Sequence, residues 1–216
     1  MREYHKIETL YERDIEGTKQ LIEGKFRNPT VEYLRNLHWQ WTEKVDGTNV
    51  RVFWDGHAVT FGGRTDKAQI PASLVNKLNE YFGGEANAQL FEQTFGEHEV
   101  ELFGEGYGAK IQKGGNYIPD AVDFILFDVM VGDNYQPRES VESVAETFGL
   151  KVVPIVGEGT ILEAVDFVKS NPKSVIAANP DYDMEGIVCR PNVELRDRCG
   201  NRVIVKIKWH DFQHLA

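Results

Sequence analysis

The stretch spanning residues 39–61 restricts the fold of this chain most strongly. It is rich in aromatic and β-branched residues and is interrupted by two Asp-Gly pairs, Asp46-Gly47 and Asp55-Gly56. Asp-Gly is a preferred sequence for the tight turn of a β-hairpin. We therefore predict three short strands in this stretch, joined by two hairpin turns.

Strands and helices alternate along the rest of the chain. Helices are predicted from Pro71 to the Gly83-Gly84 pair, from Pro137 to Gly149, and from Thr160 onward, because apolar residues recur there at helical spacing. Further strands are predicted at EVELFGEGYG, DFILFDVMV, KVVPIV, EGIVCR and RVIVKIKW, and the second of these is apolar enough to be buried on both faces. These elements predict an α+β fold that is β-rich and mostly antiparallel, with flanking helices.

The sequence contains no repeat and no Pro- or Ser-rich linker, so we expect one domain over residues 1–216. No segment has the length and apolar character of a membrane span, and the N-terminus lacks the apolar core of a signal peptide. The two cysteines, Cys189 and Cys199, are too few for a metal quartet or a disulfide framework. We expect a monomeric cytoplasmic protein without membrane association.

Lys44 is the first candidate for chemistry, within the text E-K-V-D-G-T-N-V-R at residues 43–51. A lysine at the end of a strand and just before a tight turn can direct its amine into a cleft between sheets. A K-x-D-G pattern is equally consistent with a surface lysine that precedes a hairpin turn. Other parts of the chain must decide between the two interpretations.

Further candidates lie in four later stretches, which follow in the order LFGEGYG, DFILFDV, MEGIVCRP and VIVKIKW. LFGEGYG contains Glu105, which we expect in a glycine-flanked loop after a strand. VIVKIKW contains two lysines at i and i+2, which lie on one face of a strand. The full set of candidates from these stretches is Glu105, Phe127, Asp128, Glu185, Lys206 and Lys208.

With these stretches in this order, the sequence resembles the covalent nucleotidyltransferase superfamily of ligases and capping enzymes. Within it the chain is most similar to the ATP-dependent RNA ligases of the phage RNA ligase 2 type. The N-terminal segment YHKIE, residues 4–8, also resembles the segment that precedes the motifs in those ligases. The resemblance covers essentially the whole chain and implies a nucleotidyltransferase domain. A phage-encoded enzyme acting in the cytoplasm of its host would also fit it.

The resemblance implies an enzyme of RNA repair that joins RNA 3′-hydroxyl and 5′-phosphate ends through lysyl-AMP and RNA-adenylate intermediates. Its cofactors would be ATP and Mg²⁺ or Mn²⁺. Lys44 would attack the α-phosphate as a neutral amine, although the ordinary pKa of lysine is about 10.4. Neighbouring cations and partial burial lower such a pKa. Lys206 and Lys208 would lie beside the triphosphate and stabilise its charge.

The acidic and aromatic residues receive roles from the same resemblance. Glu105 would bond the ribose hydroxyls, and Glu185 would help to hold the divalent metal. Phe127 would stack on adenine, and Asp128 would orient groups around the ribose or the metal. Without the resemblance, Phe127 would be read as a core aromatic residue. Phe124, on the opposite face of the strand, is the expected core residue.

Three polar residues near Lys44 complete the predicted nucleotide site. Arg64 would contact the sugar and phosphate groups, as an arginine at this place does in the family. Asn49 and Arg51 are candidates for contacts with the phosphates or with the incoming RNA end. In the loop GAKIQKGGNY, Lys110 and Lys113 are candidates for contacts with a nucleic-acid backbone.

Two other functions remain open at this point. A DNA ligase or a capping guanylyltransferase shares the chemistry, but those relatives usually carry an OB-fold domain, and the few residues after Lys208 leave no room for one. We therefore expect no OB-fold appendage. A non-catalytic module that binds RNA or AMP is the alternative from another class. Such a module would not require a nucleophilic Lys44 together with the activating residues Lys206 and Lys208, so the presence of all three argues against it.

The net charge of −10 argues at first against a polyanionic partner. The charges are unevenly distributed, however, since residues 80–105 contain seven glutamates and no cation. Residues 190–208 are predominantly basic. A protein with this sum can bind RNA if its basic residues lie together. The basic residues of this segment are Arg190, Arg196, Arg198, Arg202, Lys206 and Lys208, against Glu194 and Asp197.

Overall fold

Thirteen strands and five α-helices make up the regular structure of residues 1–112 and 117–213, which are the residues that the computed structural model describes. The helices are α1 Pro29–Tyr33, α2 Ala72–Phe82, α3 Glu85–Phe95, α4 Arg138–Phe148 and α5 Ile161–Lys169. The strands are β1 Glu8–Thr9, β2 Tyr11–Arg13, β3 Leu21–Phe26, β4 Trp39–Glu43, β5 Thr48–Trp54, β6 Val59–Gly62, β7 Val100–Gly108, β8 Val122–Val131, β9 Asn134–Tyr135, β10 Lys151–Val152, β11 Ile155–Gly159, β12 Gly186–Pro191 and β13 Val205–Lys208.

The contacts of the chain fall into two compact units. Unit 1 comprises Met1–His5 and Asp46–Val153, and unit 2 comprises Lys6–Val45 and Pro154–Ala216. The chain thus passes from one unit to the other at three peptide bonds. The prediction of one domain over the whole chain stays a prediction.

Unit 1 contains a sheet in the order β10-β8-β7-β5-β6, with β9 paired to β8. All its pairings are antiparallel except that of β10 with β8. Alternate residues of the central strands point into a core with α2, α3 and α4, as the two-residue period of a strand requires. The core includes Val50, Val52, Leu78, Phe91, Leu102, Phe124, Leu126 and Phe148.

Unit 2 contains a five-stranded sheet in the order β1-β13-β12-β4-β11 and a separate hairpin of β2 with β3. Its core lies on one face of the five-stranded sheet against α5, which begins with a capping box between Thr160 and Glu163. The core side chains include Trp39, Trp41, Val165, Ile187, Val205 and Ile207. Their neighbours along each strand point to the opposite face.

The predicted α+β class is confirmed, and so are the three strands of residues 39–61. The predicted helices are α2, α4 and α5, and they begin and end at the expected Pro71, Gly83, Pro137, Gly149 and Thr160. The strand containing DFILFDVMV is β8, most of whose residues are buried. Phe124 lies in the core as predicted.

Two predictions about connections are wrong. Asp46-Gly47 does not form a hairpin turn, because β4 and β5 belong to different sheets, whereas Asp55-Gly56 does join the paired strands β5 and β6. The segment KVVPIV is not one strand, because it splits at Pro154 into β10 and β11 of different sheets. Proline lacks the N–H that would continue a ladder.

Several elements were not predicted. The N-terminal strands β1 to β3 and the short helix α1 are absent from the sequence-based prediction. Helix α3 was also not predicted, because Phe91 is the only fully buried residue of that helix and its apolar periodicity is weak. No helix in the described part of the chain is long and apolar enough to cross a membrane.

Asp123 at the start of β8 joins several elements of unit 1. Its carboxylate accepts hydrogen bonds from Tyr81 Oη of α2 at 2.8 Å and from Lys151 Nζ of β10 at 2.9 Å. Burial opposes ionisation of this group, but the hydrogen bonds from Lys151 and Tyr81 outweigh it and hold the pKa of Asp123 below its ordinary value. The ionised carboxylate therefore stabilises the folded unit.

We expect Asp123→Asn to lower the free energy of unfolding at pH 7 by about 1–3 kcal/mol, the cost of losing hydrogen bonds to a charged group. Because the folded-state pKa is depressed, this contribution is present above the unfolded-state pKa of about 3.9 and is lost as pH falls through the folded-state value. Denaturant unfolding at pH 7 and at about pH 3.5 measures both effects. Asp120→Asn, at an exposed site, is the control. Equal stabilities of the two variants at pH 7 would contradict the expectation.

Candidate active site

Lys44 directly follows β4 in unit 2. Its backbone N–H donates to Gly186 O at 2.9 Å, which ties it to the start of β12. Its Nζ donates to Glu185 Oε2 at 2.6 Å. The side chains of Lys44 and Glu185 are 23% and 19% exposed, so this ion pair is largely but not fully shielded from water.

Lys206 and Lys208 project from β13 on the face opposite the core, because Val205 and Ile207 occupy the alternate, buried positions. Lys208 Nζ lies 2.5 Å from Glu185 Oε1. The two oxygens of Glu185 therefore each contact one ammonium group. The predicted placement of both lysines on one strand face is confirmed.

Lys206 makes no ion pair with any described residue. Its pKa is lowered from the ordinary value of lysine, first by burial and then by repulsion from Lys208 and Lys44, while Glu185 acts in the opposite direction. Lys6 adds a smaller repulsion. The charge of this cluster is thus incompletely balanced by its own carboxylate.

Gly186 places Glu185 at this position. Its φ of +155° is unfavourable for other residues, and a Cβ there would lie 2.1 Å from Ile207 O. Only glycine allows β12 to begin so close to β13. The close approach of the two strands thus explains why a glycine follows Glu185 in the sequence E-G-I-V, residues 185–188.

The unit 2 cluster consists of three ammonium groups, from Lys44, Lys206 and Lys208, around the one carboxylate of Glu185. Such a surplus of positive charge suits an anion with several negative charges. The described residues contain no group of three or more His, Cys, Asp or Glu that could hold a metal ion. Glu185 therefore fits a Mg²⁺ or Mn²⁺ only where phosphate oxygens and waters supply the other ligands, which is the usual manner of binding Mg²⁺.

In unit 1, the polar face of the sheet contains the second group of predicted residues. Asn49 of β5 stands directly opposite Glu105 of β7 in the antiparallel register. Glu105 lies inside β7 rather than in a loop after a strand, so that expectation is wrong. The buried Oδ1 of Asn49 has no hydrogen-bond partner among the residues that the structure describes. It is an acceptor that a ligand can satisfy.

Gly47 explains the Asp-Gly pair that does not form a hairpin. A Cβ at Gly47 would lie 2.3 Å from Gly106 O and 2.8 Å from Glu105 Cγ, so only glycine permits this approach to β7. The N–H of Asp46 donates to Tyr117 Oη at 3.2 Å. The pair therefore serves close packing beside Glu105 within unit 1.

Phe127 occupies a β-bulge. Residues on either side of it in β8 pair with adjacent residues of β7, Asp128 with Phe103 and Leu126 with Gly104, so Phe127 is the extra residue. Phe127 is half-buried, and its ring contacts that of Tyr4 at a centroid distance of 5.0 Å. It is not a core residue.

Asp128 is fully buried and accepts a hydrogen bond from Tyr4 Oη at 2.7 Å. The Tyr4 ring also packs on Phe103, with centroids 4.9 Å apart. This arrangement favours a role for Asp128 in fixing the bulge that carries Phe127. A contact of Asp128 with a ribose or a metal stays a prediction. The link to Tyr4 was not foreseen, because it joins residues 124 positions apart.

The two arginines after Lys44 have different environments. Arg64 is exposed in the loop that follows β6, where the structure gives it no partner among the described residues. Arg51 is 0% exposed, and its guanidinium donates to Gly63 O and to Asp66 Oδ1. The hypothesis that Arg51 reaches phosphates or an RNA end is therefore wrong. Lys110 is exposed, as its predicted role requires, and Lys113 lies outside the described residues.

The structure thus brings the predicted residues together as two groups, each within its own unit. Unit 2 contains the cluster of Lys44, Glu185, Lys206 and Lys208. Unit 1 places Asn49, Glu105, Phe127 and Asp128 on adjacent strands of one sheet, with Arg64 in the loop after β6.

Comparison with known proteins identifies the family to which these motifs belong. The sequence matches the family described as RNA ligase over residues 37–208. That match includes every residue of both groups.

Solved structures of Naegleria gruberi RNA ligase share the fold. A variant with ATP and Mn aligns with a TM-score of 0.66 and 17% identity over 98% of this chain and 62% of that chain. A second variant with ATP and Mn gives 0.64 and 17% over 87% and 53%. The enzyme with pyrophosphate gives 0.60 and 20% over 87% and 54%. The chain therefore spans little more than half the length of the structures it matches.

The charge of the unit 2 cluster predicts binding of inorganic tripolyphosphate. We expect millimolar tripolyphosphate to raise the melting temperature by several degrees, since a ligand that binds only the folded state stabilises it by mass action. Lys206→Ala with Lys208→Ala should remove most of this rise. Thermal unfolding at constant ionic strength is the measurement, and Lys19→Ala with Lys25→Ala, at exposed sites, is the control. An equal rise in both double variants would refute the prediction.

Proposed function

The chain belongs to the RNA ligase family, and we propose that it is an ATP-dependent RNA ligase that joins RNA 3′-hydroxyl and 5′-phosphate ends. The observation that carries this proposal is the cluster in which Lys44 Nζ and Lys208 Nζ contact the two oxygens of Glu185, with Lys206 beside them. It combines a potential nucleophile with the cations that a triphosphate requires.

In the first step, Lys44 Nζ attacks the α-phosphorus of ATP. A P–N bond forms, the P–O bond to pyrophosphate breaks, and lysyl-AMP results. The amine must first lose a proton, and Glu185 Oε2 at 2.6 Å is placed to accept it. Lys206 and Lys208 neutralise the charge that develops on the phosphates. A divalent metal, held by Glu185 together with phosphate oxygens, would supply further charge neutralisation when bound.

The second step uses the same phosphorus atom as the first, and the third step uses the phosphorus of the RNA 5′-phosphate. An oxygen of the RNA 5′-phosphate displaces Lys44 and forms RNA-adenylate. The 3′-hydroxyl then attacks the 5′-phosphate, forms the phosphodiester and releases AMP. Because charge develops on phosphate oxygens in every step, the cations of Lys206 and Lys208 can serve all three.

The residues of unit 1 would bind the nucleoside. Phe127 presents an aromatic ring outside the core, which suits stacking on adenine. Glu105 would accept hydrogen bonds from the ribose hydroxyls. Asn49, whose Oδ1 has no partner in the described part of the chain, and the exposed Arg64 are proposed as further contacts. Cytoplasmic localisation and a monomeric state stay predictions.

A basic hairpin, residues 192–202, supports RNA as the partner. Its carboxylates are already engaged, since Glu194 accepts from Arg202 Nε at 2.6 Å and Asp197 accepts from Asn201 N at 2.9 Å. Arg196 and Arg198 are exposed, and neither forms an ion pair with a described residue. Two other surface lysines of unit 2 form ion pairs, Lys25 with Glu12 and Lys169 with Glu23. Unpaired arginines in an acidic protein suit a phosphate backbone.

We expect wild-type protein to become covalently labelled when incubated with α-labelled ATP and Mg²⁺, and not with γ-labelled ATP. Lys44→Ala should take no label, and neither should Lys44→Arg, because the guanidinium stays protonated. Gel analysis of the denatured protein is the measurement. Lys25→Ala, at an exposed site, should label as wild type does. Equal labelling of Lys44→Ala would disprove the assignment, and preference for GTP would indicate a capping-type enzyme.

We expect sealing of a nicked RNA duplex to exceed sealing of the matching nicked DNA. Arg196→Glu with Arg198→Glu should weaken binding of nicked RNA at least about fivefold and reduce the slope of log K against log salt by roughly 1–2, while self-labelling with ATP stays unchanged. Filter binding at several salt concentrations measures this. Lys19→Glu with Lys25→Glu is the charge-matched control. If both double variants bind RNA alike, the basic hairpin is not the contact. RNA binding without any self-labelling would favour the non-catalytic module.

A further inference from the structure

Arg51 is a charged residue that is completely buried, although the pairing of β5 in its sheet requires no charged side chain. Its side chain is 0% exposed and lies on the face of β5 that also contains Asn49, away from the core residues Val50 and Val52. Burying a guanidinium is costly unless its donors are satisfied. A position buried only for packing would accept an apolar side chain, so the contacts of Arg51 indicate why an arginine is present.

The guanidinium anchors one short segment at both of its ends, and its Nη1 also donates to Met1 O at 3.5 Å. Nε donates to Gly63 O at 2.6 Å, and Nη2 donates to Asp66 Oδ1 at 2.9 Å. Asp66 is 79% exposed, so this is not an ion pair of the interior. The rigid fork of arginine, which a lysine cannot imitate, thus spans residues 63–66.

Arg64 lies between the two anchored residues. It is exposed and makes no hydrogen bond or ion pair with a described residue, so the path of residues 63–66 decides where its guanidinium can reach. Holding this segment lowers the entropy that Arg64 must lose when it contacts a ligand.

We propose that Arg51 is a positioning residue that acts through Arg64, holding residues 63–66 so that Arg64 meets the bound nucleotide. This inference rests on the proposed function. Arg51 touches neither substrate nor reacting atoms. Loss of the Arg51 guanidinium should therefore raise the KM for ATP, and it should do so only while Arg64 is present.

A double-mutant cycle tests the proposal. The rate of lysyl-AMP formation is measured against ATP concentration for wild type, Arg51→Lys, Arg64→Ala and the double variant. We expect Arg51→Lys to raise the KM for ATP about fivefold or more. In the Arg64→Ala background it should raise KM less than about twofold, since residues that act as a unit are not additive. Multiplying effects in the double variant, or an unchanged KM in Arg51→Lys, would overturn the proposal.

A surface variant guards against misfolding of the buried one. Asp66→Asn removes the charge that anchors Arg51 Nη2 from a site that is 79% exposed. It should raise the KM for ATP about two- to threefold with little change in melting temperature. Asp133→Asn is the matched control, because Asp133 is an 85% exposed aspartate of unit 1 that pairs with Arg2 at 2.6 Å. Equal KM values for the two aspartate variants would refute the positioning role.

Failure of the proposed function is separately visible. If wild-type protein takes no label from ATP, the ligase assignment is wrong, and the same cycle is then measured by calorimetric titration with ATP. Under that measurement, the proposal about Arg51 stands if the two arginines are non-additive in Kd. It falls if their effects multiply.

Discussion

The unit 2 cluster depends on the ion pairs that the carboxylate of Glu185 forms with Lys44 and Lys208. Three ammonium groups repel one another wherever β13 and β4 bring them close, and the alternation of β13 leaves Lys206 and Lys208 no other face. Glu185 offsets this repulsion by contacting two of them. Removing one member of such a partly buried pair leaves an uncompensated charge. Among the described residues, Glu185 is thus the one carboxylate paired with this cluster, and Lys206 forms no ion pair.

The elements that could be predicted from sequence are those specified by local patterns. Alternation placed Lys206 and Lys208 on one face of β13, and helix-terminal residues such as Pro71 and Gly149 bounded their helices. The order of the motifs identified Lys44 and Glu185, which lie 141 positions apart, as members of one cluster. No spacing rule would have paired them, so this part of the prediction came from the resemblance to a family.

The predictions failed where distant contacts override a local signal. Asp46-Gly47 has the composition of a hairpin turn, but β4 pairs with β12 and β11, which follow more than a hundred residues later. Glycine at position 47 is needed instead for its approach to Gly106. Arg51 was expected to contact phosphates or an RNA end because it lies near Lys44 in the sequence. Its burial follows from partners in the loop after β6, which periodicity does not reveal.

The bulge at Phe127 allows β8 to keep its core residues in place and also to present one aromatic side chain outside the core. On either side of it, β8 must keep Phe124, Leu126 and Val129 in the core, and any change there disturbs the packing of α2 and α4. Phe127 is outside this alternation and contacts Tyr4 rather than the core. A change of its side chain therefore affects the contact with Tyr4 more directly than the packing of the core. A strand built in this way allows the aromatic side chain at the bulge to change while the scaffold stays unchanged.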